Sequence, residues 1–181
     1  MSVRNFTLID ADACDSSCLV ERVDDRTGPR LPGADGWSVQ LRTLRGGLSD
    51  GIRVVELSSG PLVVRLLPDR GMGIWKIDCG DVAAGWQSPV RRPVHPRYVD
   101  LCSRNGLGWL DGFSELLCRC GLAFNGPPGT DAGARSPIES QLTLHGRIAN
   151  LPAHFVVVVV DDAGPGRISV AGIVEESTLF G

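Results

Sequence analysis

The chain has 181 residues, 43% hydrophobic and 22% charged, with 23 Gly and 12 Pro; this composition excludes a disordered polyelectrolyte or a collagen-like repeat and fits one turn-rich globular domain. Eighteen basic against 21 acidic residues leave a net charge of -3, without the positive footprint that nucleic acid or an anionic membrane surface requires. Lys76 is the single lysine and the other 17 basic residues are scattered arginines.

Residues 1–36 read as an N-terminal extension with a first strand, ahead of a domain over 37–181. Met1 to Asp12 lacks the apolar run of a signal peptide, so a cytoplasmic location is expected. Trp37, Val39 and Leu41 alternate with Ser38, Gln40 and Arg42, the period-two pattern of a half-buried strand. Strands follow at 52–57, 62–67 and 74–78, punctuated by Gly60-Pro61, Pro68-Asp69 and Cys79-Gly80-Asp81. Short strands on tight turns predict an antiparallel meander. From Trp86 onward Ser88-Pro89, Arg92-Pro93, His95-Pro96 and Asn105-Gly106 make a long irregular loop. Leu110, Phe113, Leu116 and Leu117 fall near helical spacing and predict a short helix over 109–117. A second loop runs from Asn125-Gly126 to Pro137, and strands resume at 142–145, 154–160 and 167–175. Phe155 to Val160 is the longest apolar stretch; its valines suit a strand buried on both faces, and it is far short of the ~20 residues that span a bilayer.

The six cysteines are expected to be reduced in a chain of this kind. Cys14 and Cys18, and Cys118 and Cys120, lack Cys-x-x-Cys spacing, so neither a metal nor another cofactor is expected. Nucleotide-binding, zinc-protease and serine-hydrolase motifs are absent from the sequence. Long loops inside a compact domain are usually functional, which places the candidate site near residues 86–137 and the strand after them.

Four segments occur in a recognisable order: Pro68-Asp69-Arg70-Gly71-Met72-Gly73-Ile74; Trp86-Gln87-Ser88-Pro89 with His95-Pro96; Gly108-Trp109-Leu110 with Phe113 and Cys120-Gly121-Leu122; and Leu144-His145-Gly146-Arg147-Ile148 with Asn150 and Pro152-Ala153. Together they resemble a family of aldose-1-epimerase-like proteins, long described as a domain of unknown function, in the galactose mutarotase-like superfamily. The resemblance covers roughly residues 40–180. It implies an all-β fold, an antiparallel β-supersandwich whose concave face holds a carbohydrate, here truncated to its N-terminal half.

Leu144-His145-Gly146 is similar to the segment by which mutarotases present a sugar-contacting histidine, and His145 is the expected catalytic residue; a histidine that satisfies a loop carbonyl is the other reading. An imidazole hydrogen-bonds sugar oxygens well. Arg119, 26 residues upstream, resembles the arginine of sugar mutarotases, whose guanidinium suits vicinal hydroxyls; an outward structural arginine is the other reading. Asp69 and Arg70 either pair as ions at a turn or meet the ligand, and Arg147 and Asn150 either line the site or hold its loop. Trp109 either offers its face to a sugar ring or packs in the core. His95 and His154 read as plain loop and strand residues, Glu115 as an exposed helix carboxylate or a general base, and Glu175 and Glu176 as a pair with one side chain inward and one outward.

Mutarotation needs a general acid at the ring oxygen and a general base at the anomeric hydroxyl. In mutarotases a second histidine and a glutamate serve, well beyond the Leu-His-Gly segment, whereas this sequence stops 36 residues after His145. The resemblance therefore implies a cofactor-free aldose 1-epimerase-type isomerase when full length, with the 181-residue chain inactive by itself. A non-catalytic carbohydrate-binding or sensing module, and an epimerase of a sugar acid or sugar phosphate, stay open beside it. The expected partner is a small carbohydrate, with neither nucleic acid nor membrane; homo-oligomerisation and the identity of the sugar are open.

Overall fold

The computed structural model describes residues 2–13, 17, 19–32, 34–135 and 140–177. Cys14, Cys18, the Pro137 end of the second loop and the C-terminal Leu179-Phe180-Gly181 lie outside the described residues. Among the described residues, no helix is long and apolar enough to cross a membrane.

The regular structure is almost entirely antiparallel sheet, joined by turns and long irregular loops. Strands β2 (Arg22–Asp24), β3 (Ser38–Thr43), β4 (Arg53–Ser59), β5 (Leu62–Leu67), β6 (Gly73–Cys79) and β7 (Val82–Ala84) form a six-stranded meander in chain order. The turn signals explain it: Gly60, at φ 57°, lets β4 reverse into β5 with Ser59 opposite Leu62. A bulge between Arg65 and Leu66 bends the β5–β6 pair and adds local twist. The second sheet has the order β1-β10-β11, from Val3–Asp10, Phe155–Asp161 and Arg167–Ile173. Residues 1–36 thus supply one strand to each sheet, β1 against β10 and β2 against β3. Two short strands, β8 (Gly129–Thr130) inside the second loop and β9 (Gln141–Leu142) just after it, pair with each other.

The two larger sheets face each other across one apolar core. Val23, Trp37, Val39 and Val55 from the meander meet Leu8, Val156, Val158 and Val160 from the three-stranded sheet. Gly172 of β11 lies so close to the β5–β6 turn that a Cβ there would sit 2.6 Å from Met72 Sδ. Val156, Val158 and Val160 are fully buried while Phe155, Val157 and Val159 are half-buried, so β10 has one core face, not the two expected. The reason is that the meander covers only one side of the three-stranded sheet.

Two expected elements differ. Residues 109–117 do not form a helix: a 3-10 turn over Gly108–Asp111 gives way to irregular chain. The N–H of Leu116 donates to Ile74 O of β6 at 2.7 Å, so it is taken from the ladder a helix would need. The strand expected over 142–145 ends at Leu142, because His145 takes a left-handed backbone at φ 58° that no strand accommodates.

Candidate functional site

The β5–β6 connection, Pro68–Arg70, is a 3-10 turn started by proline and closed by Gly71 at φ 62°. A Cβ on Gly71 would fall 2.3 Å from Ile148 O, so glycine alone allows the contact with a second 3-10 turn, Ile148–Asn150. The two turns are tied by Gly71 N–H to Leu151 O and Ala153 N–H to Pro68 O, both 2.8 Å.

This docking buries Arg70 completely. Its Nε donates to the Glu115 carboxylate, and its Nη1 donates to Val94 O at 2.9 Å and Asn150 Oδ1 at 3.1 Å. The other Glu115 oxygen accepts the Ser114 N–H at 2.8 Å. Gly112, lacking a side chain, closes over the guanidinium. Arg70 therefore joins the meander, the 86–117 loop and the 148–150 turn. Arg70 Nη2 and Asn150 Nδ2 are buried without a hydrogen-bond partner among the described residues.

Asp69 pairs elsewhere. It accepts the Arg53 N–H at 2.6 Å and the Arg53 Nε at 2.9 Å, fixing the start of β4. Asp69 and Arg70 are thus adjacent in sequence but serve separate ion pairs, and the expected Asp69–Arg70 pair does not form. Glu115, expected on an exposed helix, is 2% exposed and bound to Arg70; with no helix to carry it outward, it turns in to meet the buried guanidinium, and both of its oxygens are engaged.

An aromatic row leads from this cluster to His145. Trp86 packs against Phe113 at 5.4 Å between ring centroids, Phe113 stacks on Trp109 at 4.4 Å, and Trp109 meets the His145 imidazole edge-to-face at 5.0 Å. Trp109 is only 4% exposed, so its ring is packed inside and does not face solvent. His145 is half-buried, its Nδ1 has no hydrogen-bond partner, and its N–H donates to Gly126 O at 2.9 Å. Arg147 is exposed and lies 3.7 Å from the inward-turned Glu176, while Glu175 points out toward His154 at 3.8 Å. Arg119 is exposed, without a hydrogen bond or ion pair among the described residues, between Cys118 and Cys120. Those two thiols lie close to the His145 imidazole, all three donor atoms within 4.8 Å of one another. Partial desolvation and the neighbouring Cys120 push the Cys118 thiol up to about 11. His95 sits apart, its Nδ1 accepting the Arg97 N–H at 3.2 Å, and burial followed by the Arg97 charge lowers its pKa.

A cleft of about 520 Å³ opens at the other end of the aromatic row, lined by Trp75, Lys76, Trp86, Gln87, Arg91 and Ser114 among others. His145 is not among its lining residues. The structure thus joins Arg70, Asn150 and Glu115 in one buried network and His145, Trp109, Cys118 and Cys120 in a neighbouring cluster, and leaves Arg119 and Arg147 at the surface.

The family model described as "Domain of unknown function (DUF4432)" matches residues 49–181. The chain belongs to that family. Among solved structures, the DUF4432 chain is similar to a "putative aldose 1-epimerase" from Klebsiella pneumoniae subsp. pneumoniae, with 33% identity over 98% of this chain and a TM-score of 0.83. The match covers 44% of the Klebsiella chain, so this chain spans less than half of that protein's length. No match was found among curated proteins. The aldose-1-epimerase-like architecture expected from the four sequence segments is the one observed.

Sequence reasoning missed Glu115 as the partner of Arg70, 45 residues away. The one available signal was a carboxylate between Ser114 and an apolar pair in a loop otherwise free of acids after Asp111.

Proposed function

We propose that this chain is the carbohydrate-handling N-terminal portion of an aldose 1-epimerase-type protein, with the sugar bound beside His145 and with Asn150 and Arg147 as further candidate contacts. The observation that carries the reading is the similarity, along nearly the whole chain, to the "putative aldose 1-epimerase" of Klebsiella. The unpartnered Nδ1 of the half-buried His145 supports it, because the hydroxyls of a sugar satisfy such a group. Among the described residues no carboxylate is hydrogen-bonded to His145, and Glu115 is engaged by Arg70. The acid and base of ring opening are therefore assigned to neither, and binding rather than turnover is the activity expected of these 181 residues.

Titration calorimetry of the chain with neutral and anionic monosaccharides tests this. His145→Asn keeps a residue that tolerates the left-handed backbone. It is expected to weaken binding by about 1–3 kcal/mol, with His95→Ala and His154→Ala unchanged. Absence of binding to any of these sugars, or equal affinity in all three variants, overturns the reading.

A further inference from the structure

From the convergence of two thiols and an imidazole, we infer that Cys118, Cys120 and His145 form a binding site for a thiophilic divalent cation of the zinc type. Cys-x-Cys spacing alone is uninformative, since alternate residues of an extended chain share a face whether or not they bind an ion. What the fold adds is the third donor, 25 residues away from Cys120 in sequence, and the means of holding it there.

Gly121, at φ 90°, turns the chain directly after Cys120, and its N–H donates to Phe124 O at 2.8 Å and His145 O at 3.3 Å. His145 adopts φ 58°, a conformation disfavoured for a residue with a Cβ, and in doing so brings its imidazole over the two thiols. Gly146 follows at φ 69°, where a Cβ would lie 2.8 Å from Phe124 O and 3.0 Å from Gly121 O. The 118–126 loop and the 145–146 turn are thereby stitched at backbone level, and the edge of the contact with Trp109 sets the ring.

The three donor atoms lie within 4.8 Å of one another. A tetrahedral zinc with sulfur ligands at ~2.3 Å and nitrogen at ~2.0 Å places its donors about 3.5–3.8 Å apart, a contraction that side-chain rotation supplies. Both cysteines are free and exposed, so an ion reaches them from solvent. His145 Nδ1 has no hydrogen-bond partner in the protein. Two thiolates and a neutral imidazole suit a soft or borderline cation over Mg²⁺ or Ca²⁺. Binding forms two metal–sulfur bonds and one metal–nitrogen bond and releases one proton from each thiol to solvent. The fourth position stays open for water or another small ligand.

The site is independent of the carbohydrate reading, although both use His145, and its test contains no sugar. The reduced full chain, stripped of metal, is titrated with Co²⁺ and then Zn²⁺. Expected are one ion per chain, a thiolate-to-cobalt charge-transfer band with intense tetrahedral d–d absorption, and loss of both on displacement by Zn²⁺. Cys118→Ser, Cys120→Ser and His145→Asn should each weaken Zn²⁺ binding at least tenfold in chelator competition, while Cys79→Ser and Cys102→Ser leave it unchanged. The serine variants keep the test decisive if His145→Asn fails to fold, because both cysteines are exposed. Absence of the charge-transfer band in the folded reduced chain, binding unaffected by the three substitutions, or a Cys118–Cys120 disulfide that persists under reductant would each overturn the site.

Discussion

Arg70 shows how one side chain can organise loops that have little secondary structure of their own. Its guanidinium is fully buried, and its partners come from residues 94, 115 and 150. Removing one member of a buried ion pair leaves the other charge without compensation, typically a loss of about 3–5 kcal/mol, whereas replacing both with apolar groups is often close to neutral. Arg70→Met is therefore expected to destabilise the chain by about that amount in urea unfolding, and Arg70→Met/Glu115→Leu to recover most of it. A loss under about 1 kcal/mol in the single variant would mean that Glu115 does not depend on Arg70. The importance of Arg70 was open in the sequence because Asp69 beside it offered an equally plausible partner. Only the separate positions of Arg53 and Glu115 decide between them.

At the scale of elements, strands were legible where polar and apolar residues alternate and turns carry glycine or proline. Strands β3 to β6 fall within a residue or two of their expected bounds for that reason. Five consecutive valines in β10 hide the alternation, so which face is core depends on the sheet packed against it. Residues 109–117 failed as a helix for a related reason: apolar spacing cannot reveal that Leu116 N–H is claimed by β6. The His145 region was harder still, since a left-handed residue before Gly146 leaves no mark in hydrophobic periodicity. The valine run gives a direct check on the one-sided packing. Val158→Ala, at a fully buried position, is expected to lower stability by about 2 kcal/mol through lost burial and a residual cavity. Val157→Ala on the half-buried face should lower it by less than about 1 kcal/mol. Similar losses at both positions, measured by denaturant unfolding, would mean that the outer face of β10 is as tightly packed as the inner.

At the scale of the whole molecule, the two main sheets pack face to face, and among the described residues neither closes into a barrel. The three-stranded sheet has β1 and β11 at its edges, and the meander has β2 and β7. Edge strands present unpaired backbone groups that template further strands, a tendency natural proteins oppose with charge, especially lysine. Strand β11 carries little such protection toward its end: Ala171, Gly172 and Ile173 are uncharged and exposed, with Ile173 at 51%. The 181-residue chain by itself is then expected to self-associate as its concentration rises, through β11 in particular. Ile173→Lys places a charge on that edge without touching the buried core, so it should shift sedimentation and light scattering toward monomer and leave the unfolding midpoint nearly unchanged. A chain that remains monomeric across the accessible concentration range, or association that Ile173→Lys does not reduce, would place the sticky surface elsewhere, with exposed Val82 on β7 as the next position to charge.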